Sequence, residues 1–325
     1  MRRGPASTLV VVIALVAAPR AAASSIVYLK DGDVYRASPG GAQKRVVIPG
    51  KSGVSFTAVT QDDRGRLYVV AAPSRRWMRF TARGARSGHS FRTPGTGLRV
   101  HYDHGRKRPG FAGPMDVQVS GGGGRLTGWG VIEDLGPTGV RGQIASTVTR
   151  ADRDQDMTGT APTSSLAWPS FLPDGSVVAG AFDNVLKSFG IWYFTPGDDT
   201  VRFWFGPTDR TLRLASPEVT RAGDYVAVTT DRDSPLSRDD EIVVGHLPGP
   251  LPAVPDRDCS WENGNGTMTG LTWSPDGRTL AWSDEVGVWT ARFVVPLQTG
   301  LTCVVAGKHL LARKATSPDW GPAPS

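Results

Sequence analysis

The amino-acid sequence predicts an all-β fold in which small antiparallel sheets repeat along the chain and close into a ring. The sequence holds 40 glycines and 25 prolines in 325 residues, well above their ordinary combined share of about 12%. This composition is typical of many short strands joined by turns. A similar turn, followed by a strand-forming run, also recurs about every fifty residues, which indicates a repeat architecture.

The N-terminus has the pattern of a secretory signal peptide. Arg2 and Arg3 precede an uncharged apolar run, LVVVIALVAA at 9–18, and alanines at 21–23 form an A-x-A cleavage site. The apolar run is far shorter than the roughly 20 residues that cross a bilayer. We therefore predict cleavage after Ala23 and a single domain over residues 24–325. We expect a secreted protein, or one in the extracytoplasmic cell envelope, with no membrane span after cleavage.

The charge balance argues against a nucleic-acid partner. Removal of residues 1–23 takes away three arginines and no acidic residue, so the net charge falls from +7 to +4. Nucleic-acid binding typically requires a concentrated basic stripe. The richest basic cluster, at 99–110, has the character of a solvated loop. We expect a monomer that binds no nucleic acid.

A glycine marks the turn in each repeat. The stretch SPDGRTLAW at 274–282 has relatives at 172–180, 220–228, 61–70 and 120–129. Tight turns between antiparallel strands often require positive φ, where glycine avoids a Cβ clash, and Pro and Asp favour the preceding turn positions. The predicted turn residues are Gly65, Gly124, Pro173, Asp174, Gly175, Gly223, Pro275, Asp276 and Gly277.

Further strand-forming runs complete each unit. A third run, such as GVWTARF at 287–293, follows the strand after the turn, and some units have a fourth, such as VRFWF at 201–205. Four antiparallel strands per unit, repeated about an axis, describe a β-propeller. The first unit, at 26–48, lacks a first strand.

The C-terminus supplies the strand that the first unit lacks. Ser317, Pro318, Asp319 and Trp320 belong to SPDWGP at 317–322, which has the pattern of a first strand with no second strand after it. We predict that this closure strand completes the N-terminal blade and removes two free sheet edges. The expected architecture is a six-bladed β-propeller of four-stranded antiparallel blades.

These units resemble the TolB-type, WD40-like propeller repeat that is also called PD40. The resemblance rests on WSPDGRTLAWSDEVGVW, PSFLPDGSVVAGAFD and IVYLKDGDVYRASPGG, and it covers nearly the whole chain after residue 23. The units at 61–70 and 120–129 depart from it, because they carry DDRG and GGGG at the turn. The resemblance implies the propeller fold and not the Tol-system role, since the sequence offers no place for the α/β domain that precedes the propeller in full-length TolB proteins.

Cys259 and Cys303 are the only two cysteines, and we predict that they form a disulfide between neighbouring blades. An exported chain with an even cysteine count favours this pairing. The alternative is a pair of buried free thiols. Closing a loop of this length would stabilise the fold by roughly 4 kcal/mol in the chain-entropy model.

Asp152, Asp154 and Asp156 alternate in DRDQDMTGT, as oxygen ligands do in a calcium loop. The positions at which an EF-hand requires Gly and Glu hold Met157 and Thr163. A solvated acidic loop is therefore the preferred interpretation, calcium is a weak candidate, and we expect no other cofactor. The sequence also contains no catalytic motif, such as the G-x-S-x-G elbow of serine hydrolases.

A propeller without a catalytic motif predicts a non-enzymatic binding or scaffold protein for a protein or cell-envelope ligand. One alternative is an enzyme, such as a lyase or hydrolase, with a site in the central channel assembled from different blades. Another is a glycan-binding module with exposed tryptophans, for which Trp77 and Trp261 are the candidates. Charged residues converging at the axis would favour the enzyme, and small or hydroxylic residues there would favour the scaffold.

Overall fold

The computed structural model describes residues 24–72, 76–88, 91–92, 99–101, 107–109, 111–114, 117–120, 125–136, 139–150, 156–158, 167–183, 188–195, 201–206, 212–232, 240–294 and 301–322. The regular secondary structure in these ranges consists of β-strands. In the same ranges, no helix is long and apolar enough to span a membrane.

The strands are numbered in chain order. The first half contains β1 (Ser24–Lys30), β2 (Asp33–Ala37), β3 (Arg45–Ile48), β4 (Ser55–Gln61), β5 (Leu67–Ala72), β6 (Arg76–Phe80), β7 (Phe91–Arg92), β8 (Arg99–His101), β9 (Lys107–Pro109), β10 (Phe111–Pro114), β11 (Gln118–Val119), β12 (Arg125–Gly136), β13 (Gly139–Arg150) and β14 (Asp156–Thr158). The second half contains β15 (Ala167–Phe171), β16 (Val177–Asp183), β17 (Ser188–Phe194), β18 (Arg202–Phe205), β19 (Leu212–Val219), β20 (Tyr225–Arg232), β21 (Glu241–His246), β22 (Asp256–Glu262), β23 (Thr269–Trp273), β24 (Thr279–Ser283), β25 (Gly287–Val294), β26 (Leu301–Thr302), β27 (Val304–Arg313) and β28 (Ala315–Pro322).

Five sheets are blades built on four antiparallel strands. Their strand orders are β28-β1-β2-β3, β4-β5-β6-β7, β15-β16-β17-β18, β19-β20-β21-β22 and β23-β24-β25-β27. We number these blades one to five in that order. The inner strands contact one another around the axis: β28 contacts β4 and β23, and β19 contacts β15 and β23. The chain is therefore a β-propeller.

The predicted count of six four-stranded blades is wrong, because the structure is a five-bladed propeller. The chain between the second and third blades forms a sheet of different construction. Two 12-residue strands, β12 and β13, pair along their whole length. The short strands β10 and β11 both pair with β12, and β14 pairs with β13. Strand β11 contacts β4 and β15, so a short strand of this irregular sheet lies between the second and third blades, and the sheet is not itself a propeller blade.

The sequence gives a physical reason for this difference. In the regular repeats, a side-chain oxygen organises the turn: Asp62 Oδ1 accepts the N–H of Arg64 at 2.9 Å, and Asp174 Oδ1 accepts the N–H of Ser176 at 2.8 Å. Residues 121–124 are four glycines, which have no side-chain acceptor to fix a turn at that point. Nothing in this part of the sequence sets the register of a regular blade.

The C-terminal strand completes the first blade, which confirms the predicted ring closure. Strand β28 pairs antiparallel with β1, with Ser24 opposite Pro322 and Ile26 opposite Trp320. Ile26 and Trp320 belong to a buried cluster that also includes Ala281 and Val288 of the fifth blade. The two ends of the chain therefore pack together against the last blade.

Cys259 and Cys303 form a disulfide, as the sequence predicts. Cys259 lies on β22, the outer strand of the fourth blade, and Cys303 follows β26 in the connection between β25 and β27 of the fifth blade. Strand β26 pairs parallel with β22, and the N–H of Cys303 donates to the carbonyl of Ser260 at 2.8 Å. The disulfide and this added strand together link two neighbouring blades.

Candidate functional site

A polar cavity of about 580 Å³ lies at the axis of the propeller. It is lined by the ends of the inner strands β4, β11, β15, β19, β23 and β28, and by the turns that follow several of them. Since these strands surround the axis, the cavity is the mouth of the central channel. We call it the channel mouth.

Polar side chains occupy the same position on successive inner strands. Ser170, Glu218 and Thr272 each lie five residues before a turn glycine, and all three line the channel mouth. Asp319 holds the corresponding position on the closure strand, and Gln118 lies near it on β11. The inner strands thus contribute polar residues of several kinds to the axis.

A backbone irregularity precedes this position in four inner strands. Trp168, Ser216, Gly270 and Ser317 have φ between 46° and 63°, and each lies two residues before the lining residue. The strand pairing shifts register at the same points. Left-handed residues other than glycine cost about 1–3 kcal/mol and cluster at functional sites, and bulges re-aim side chains. The distortion therefore directs the following polar residue towards the channel.

Asp319 makes several hydrogen bonds in the channel mouth, and its side chain is buried. Its Oδ2 accepts the backbone N–H of Gln61 at 2.6 Å, and the hydroxyls of Thr60 and Thr272 hydrogen-bond to the same carboxylate. The Gln61 side-chain amide donates to the Asp319 carbonyl at 2.9 Å and to the Ser25 carbonyl at 3.0 Å. This network ties the closure strand to the first and second blades and to β23 of the fifth.

Burial raises the pKa of Asp319 to about 6, although the Gln61 hydrogen bond and the charge of Arg221 act in the opposite direction. The ordinary value is 3.8. Because the folded state holds this proton more tightly than the unfolded state, it binds more protons between about pH 4 and 6. The contribution of Asp319 to stability is therefore largest below pH 4 and falls as the pH rises through this window, by about 3 kcal/mol in total.

This dependence can be measured by urea unfolding of the wild type and of Asp319→Asn at pH 4, 5, 6 and 7. We expect the free energy of unfolding of the wild type, relative to the variant, to fall by about 2 kcal/mol between pH 4 and pH 7, since part of the full change lies below pH 4. The comparison removes the pH dependence of all the other groups. A difference between the two proteins that stays constant with pH would contradict the shifted pKa.

The described lining of the channel mouth is acidic. Its described lining contains the carboxyl groups of Asp63, Asp174, Glu218 and Asp319 and one guanidinium, that of Arg221. The whole sequence has a net charge of +7, so the negative charge at the axis contrasts with the rest of the chain.

Arg221 is held by contacts from two sides. It forms an ion pair with Asp63, and its Nη2 donates to the carbonyl of Trp320 at 3.5 Å. Burial lowers the pKa of Arg221, and the charges of Asp319 and Asp62 oppose that change. In the described part of the chain, no group of three His, Cys, Asp or Glu side chains is placed to hold a metal ion.

The structure separates the predicted site residues into several groups. Pro173, Asp174 and Gly175 line the channel mouth, whereas Pro275 and Asp276 line a different groove, beside the first blade. The turn glycines Gly65, Gly175, Gly223 and Gly277 have φ between 68° and 84°. Gly124, Asp152 and Asp154 lie outside the described residues, and Asp156 lies on β14, where side chains are not described.

Trp77 is buried, so its predicted role as an exposed contact is wrong. It packs with Tyr68 and Val70 of its own blade and with Val117 and Val119 beside it. Trp261 is partly buried and packs against the core cluster around Trp282. Among the side chains that the structure describes, the large exposed apolar residues are valines and one phenylalanine, and the groove of exposed tryptophans expected for glycan binding is not found there.

The fold is similar to that of solved propellers. TolB from Acinetobacter baumannii superposes with a TM-score of 0.53 at 13% identity, over 92% of this chain and 66% of that one. A putative TolB from Agrobacterium tumefaciens gives 0.54 at 14% identity, over 93% of each chain. An oligogalacturonate lyase in complex with manganese gives 0.52 at 13% identity, over 86% of this chain and 70% of that one.

The sequence comparisons give no family. No protein-family model matches this chain, and no curated protein matches it. Structural neighbours at 13–14% identity show the fold alone, because propellers of one architecture have many functions. The chain is a β-propeller with TolB-type structural neighbours, and it spans slightly less than two thirds of the Acinetobacter TolB.

Proposed function

We propose that this protein is an exported binding propeller whose channel mouth holds a basic segment of a protein or cell-envelope ligand. The observation that carries the proposal is the charge of the mouth, where four carboxyl groups face one guanidinium. That guanidinium is already paired with Asp63. The described lining therefore carries more negative than positive charge, and such a field steers and orients a lysine or arginine side chain of a cationic partner.

The size of the site supports an extended segment as the occupant. The channel mouth has a volume of about 580 Å³, within the range of roughly 300–1,000 Å³ in which small ligands bind. A few residues of an extended chain can enter such a space, and a folded domain cannot. The partner would then add further contacts on the surrounding turns.

An enzyme remains the alternative, because charged residues do converge at the axis. The group that favours it is Asp319, since a raised pKa is characteristic of catalytic acids and bases. However, its carboxylate is already bonded to Gln61, Thr60 and Thr272, which is also what a structural closure requires. An acidic mouth would moreover repel a polyanionic substrate such as an oligogalacturonate. Binding of a basic segment fits the charge better.

The test uses tetralysine and tetraglutamate as probes and measures their binding by isothermal titration calorimetry. We expect tetralysine to bind and tetraglutamate not to bind, with an affinity that weakens as salt is added. Glu218→Gln should weaken tetralysine binding about fivefold, which corresponds to about 1 kcal/mol. Glu285→Gln, which changes an exposed glutamate in the turn between β24 and β25, should leave binding unchanged.

Two results would overturn this proposal. One is equal binding of tetralysine to wild type and Glu218→Gln, and the other is preference for tetraglutamate. A second experiment identifies the natural partner by crosslinking the protein to its neighbours in the cell envelope. A partner whose crosslinks map to the channel mouth supports the proposal, and one whose crosslinks avoid the mouth argues against it.

A further inference from the structure

A second cavity, of about 200 Å³, lies between the third and fourth blades and shares no described lining residue with the channel mouth. Its inner wall belongs to the fourth blade and its rim includes the end of β18 from the third blade. The described residues around it are Phe205, Gly206, Leu214, Val226, Val228, Thr230, Val243, Gly245, Val254, Pro255 and Arg257.

The inner wall of this cavity is apolar and buried. Leu214, Val226, Val228 and Val243 are each less than 10% exposed, and they belong to one core cluster. Protein interiors rarely leave voids larger than a water molecule. An apolar cavity of about 150 Å³ engineered in another protein stays dry and binds benzene. A cavity of about 200 Å³ is therefore large enough for a six-membered ring and a short substituent.

The rim of the cavity carries Arg257, which forms a long ion pair with Glu241 while its guanidinium donors make no hydrogen bond within the described residues. The Arg257 side chain is half exposed, and its Nη2 lies 3.8 Å from Glu241 Oε2, too far for a hydrogen bond. Glu241 Oε2 accepts a hydrogen bond from the Thr230 hydroxyl at 3.5 Å instead. Within the described residues, no hydrogen bond engages the Arg257 guanidinium. Its planar donors match a carboxylate, which they bind in a bidentate manner.

We propose that this cavity binds a small apolar carboxylic acid. The ring or alkyl chain lies against Leu214, Val226 and Val228, and the carboxylate lies on Arg257. The apolar wall supplies the affinity for the body of the ligand, because the ring or alkyl chain leaves water when it enters the cavity. The guanidinium distinguishes an acid from an amine of the same shape. This site is independent of the channel mouth and of its proposed ligand.

The direct test is a wild-type crystal soaked in 4-bromophenylacetate, with the bromine located by anomalous scattering. We expect a bromine peak among Leu214, Val226 and Val228 and the carboxylate density on Arg257. In solution, calorimetry should show binding of phenylacetate and none of phenethylamine, which has a similar body and the opposite charge. A soaked crystal without a peak in the cavity would overturn the proposal, as would equal binding of the two probes.

Two substitutions test the charged rim and the apolar wall of the cavity separately. Arg257→Gln should weaken phenylacetate binding about fivefold to tenfold, whereas Arg278→Gln, at an exposed arginine of a turn in the fifth blade, should not change it. Val228→Phe should fill the cavity and abolish binding. Unchanged binding to Val228→Phe would place the ligand elsewhere, and if that variant does not fold, the soaked wild-type crystal decides the question.

Discussion

A chain that ends after Arg313 should not give a cooperatively folded protein. The truncation removes β28 and leaves the inner edge of β1 unpaired, although β1 contributes Ile26 and Tyr28, which are at most 1% exposed, to the core. It also removes Asp319 and Trp320, which join the first blade to the second and the fifth. We expect the thermal unfolding transition, followed by circular dichroism, to broaden or disappear.

Two controls make this result specific. A chain that ends after Pro322 lacks only residues 323–325 and should melt at the wild-type temperature. A synthetic peptide of residues 315–322 should restore a cooperative transition to the chain that ends after Arg313, because an extended peptide can add to an open sheet edge. If the shorter chain melted like the wild type without the peptide, closure by β28 would not be what stabilises the ring.

The double substitution Cys259→Ala and Cys303→Ala should lower the free energy of unfolding by about 4 kcal/mol. The disulfide joins residues separated by 44 positions, so its removal gives the unfolded chain much more conformational freedom. The link between the fourth blade and β26 should weaken as well. Urea unfolding of the variant and of the oxidised wild type measures the difference.

Reduction provides the matched comparison for this experiment. Wild type treated with dithiothreitol should unfold at the same urea concentration as the double variant, and the double variant should not respond to dithiothreitol. A loss below about 1 kcal/mol would show that the pairing of β26 with β22 and the packing around Cys259 hold the two blades together without the disulfide.

The features predicted correctly from the sequence depend on local chemistry. Pro173-Asp174-Gly175 and Pro275-Asp276-Gly277 indicate tight turns in any context, and an incomplete repeat at each end of the chain predicts closure. The blade count failed where this local chemistry is missing, because four consecutive glycines do not specify a turn. In that part of the chain, strand pairing depends on tertiary contacts that the sequence does not reveal.

The polar residues that line the channel mouth were missed for a different reason. Its lining residues differ in type from strand to strand, so no motif connects Ser170, Glu218, Thr272 and Asp319. A positional signal was nevertheless present, since the first three lie five residues before a turn glycine. Ser170, Glu218 and Asp319 also directly follow a proline, which suits a strand at the free inner edge of a blade. The ion pair of Arg221 with Asp63 had no such signal, because it joins different blades.

The pairing of β28 with β1 also determines when the chain can complete its folding. Synthesis proceeds from the N-terminus, so the first sheet receives its last strand only after β28 has been made, long after β1. Contacts between such distant parts of a chain form slowly, since a long loop must close first. Until then, the earliest-made sheet exposes an edge to which other chains can add. We expect this period, rather than the finished ring, to be when the protein depends most on chaperones.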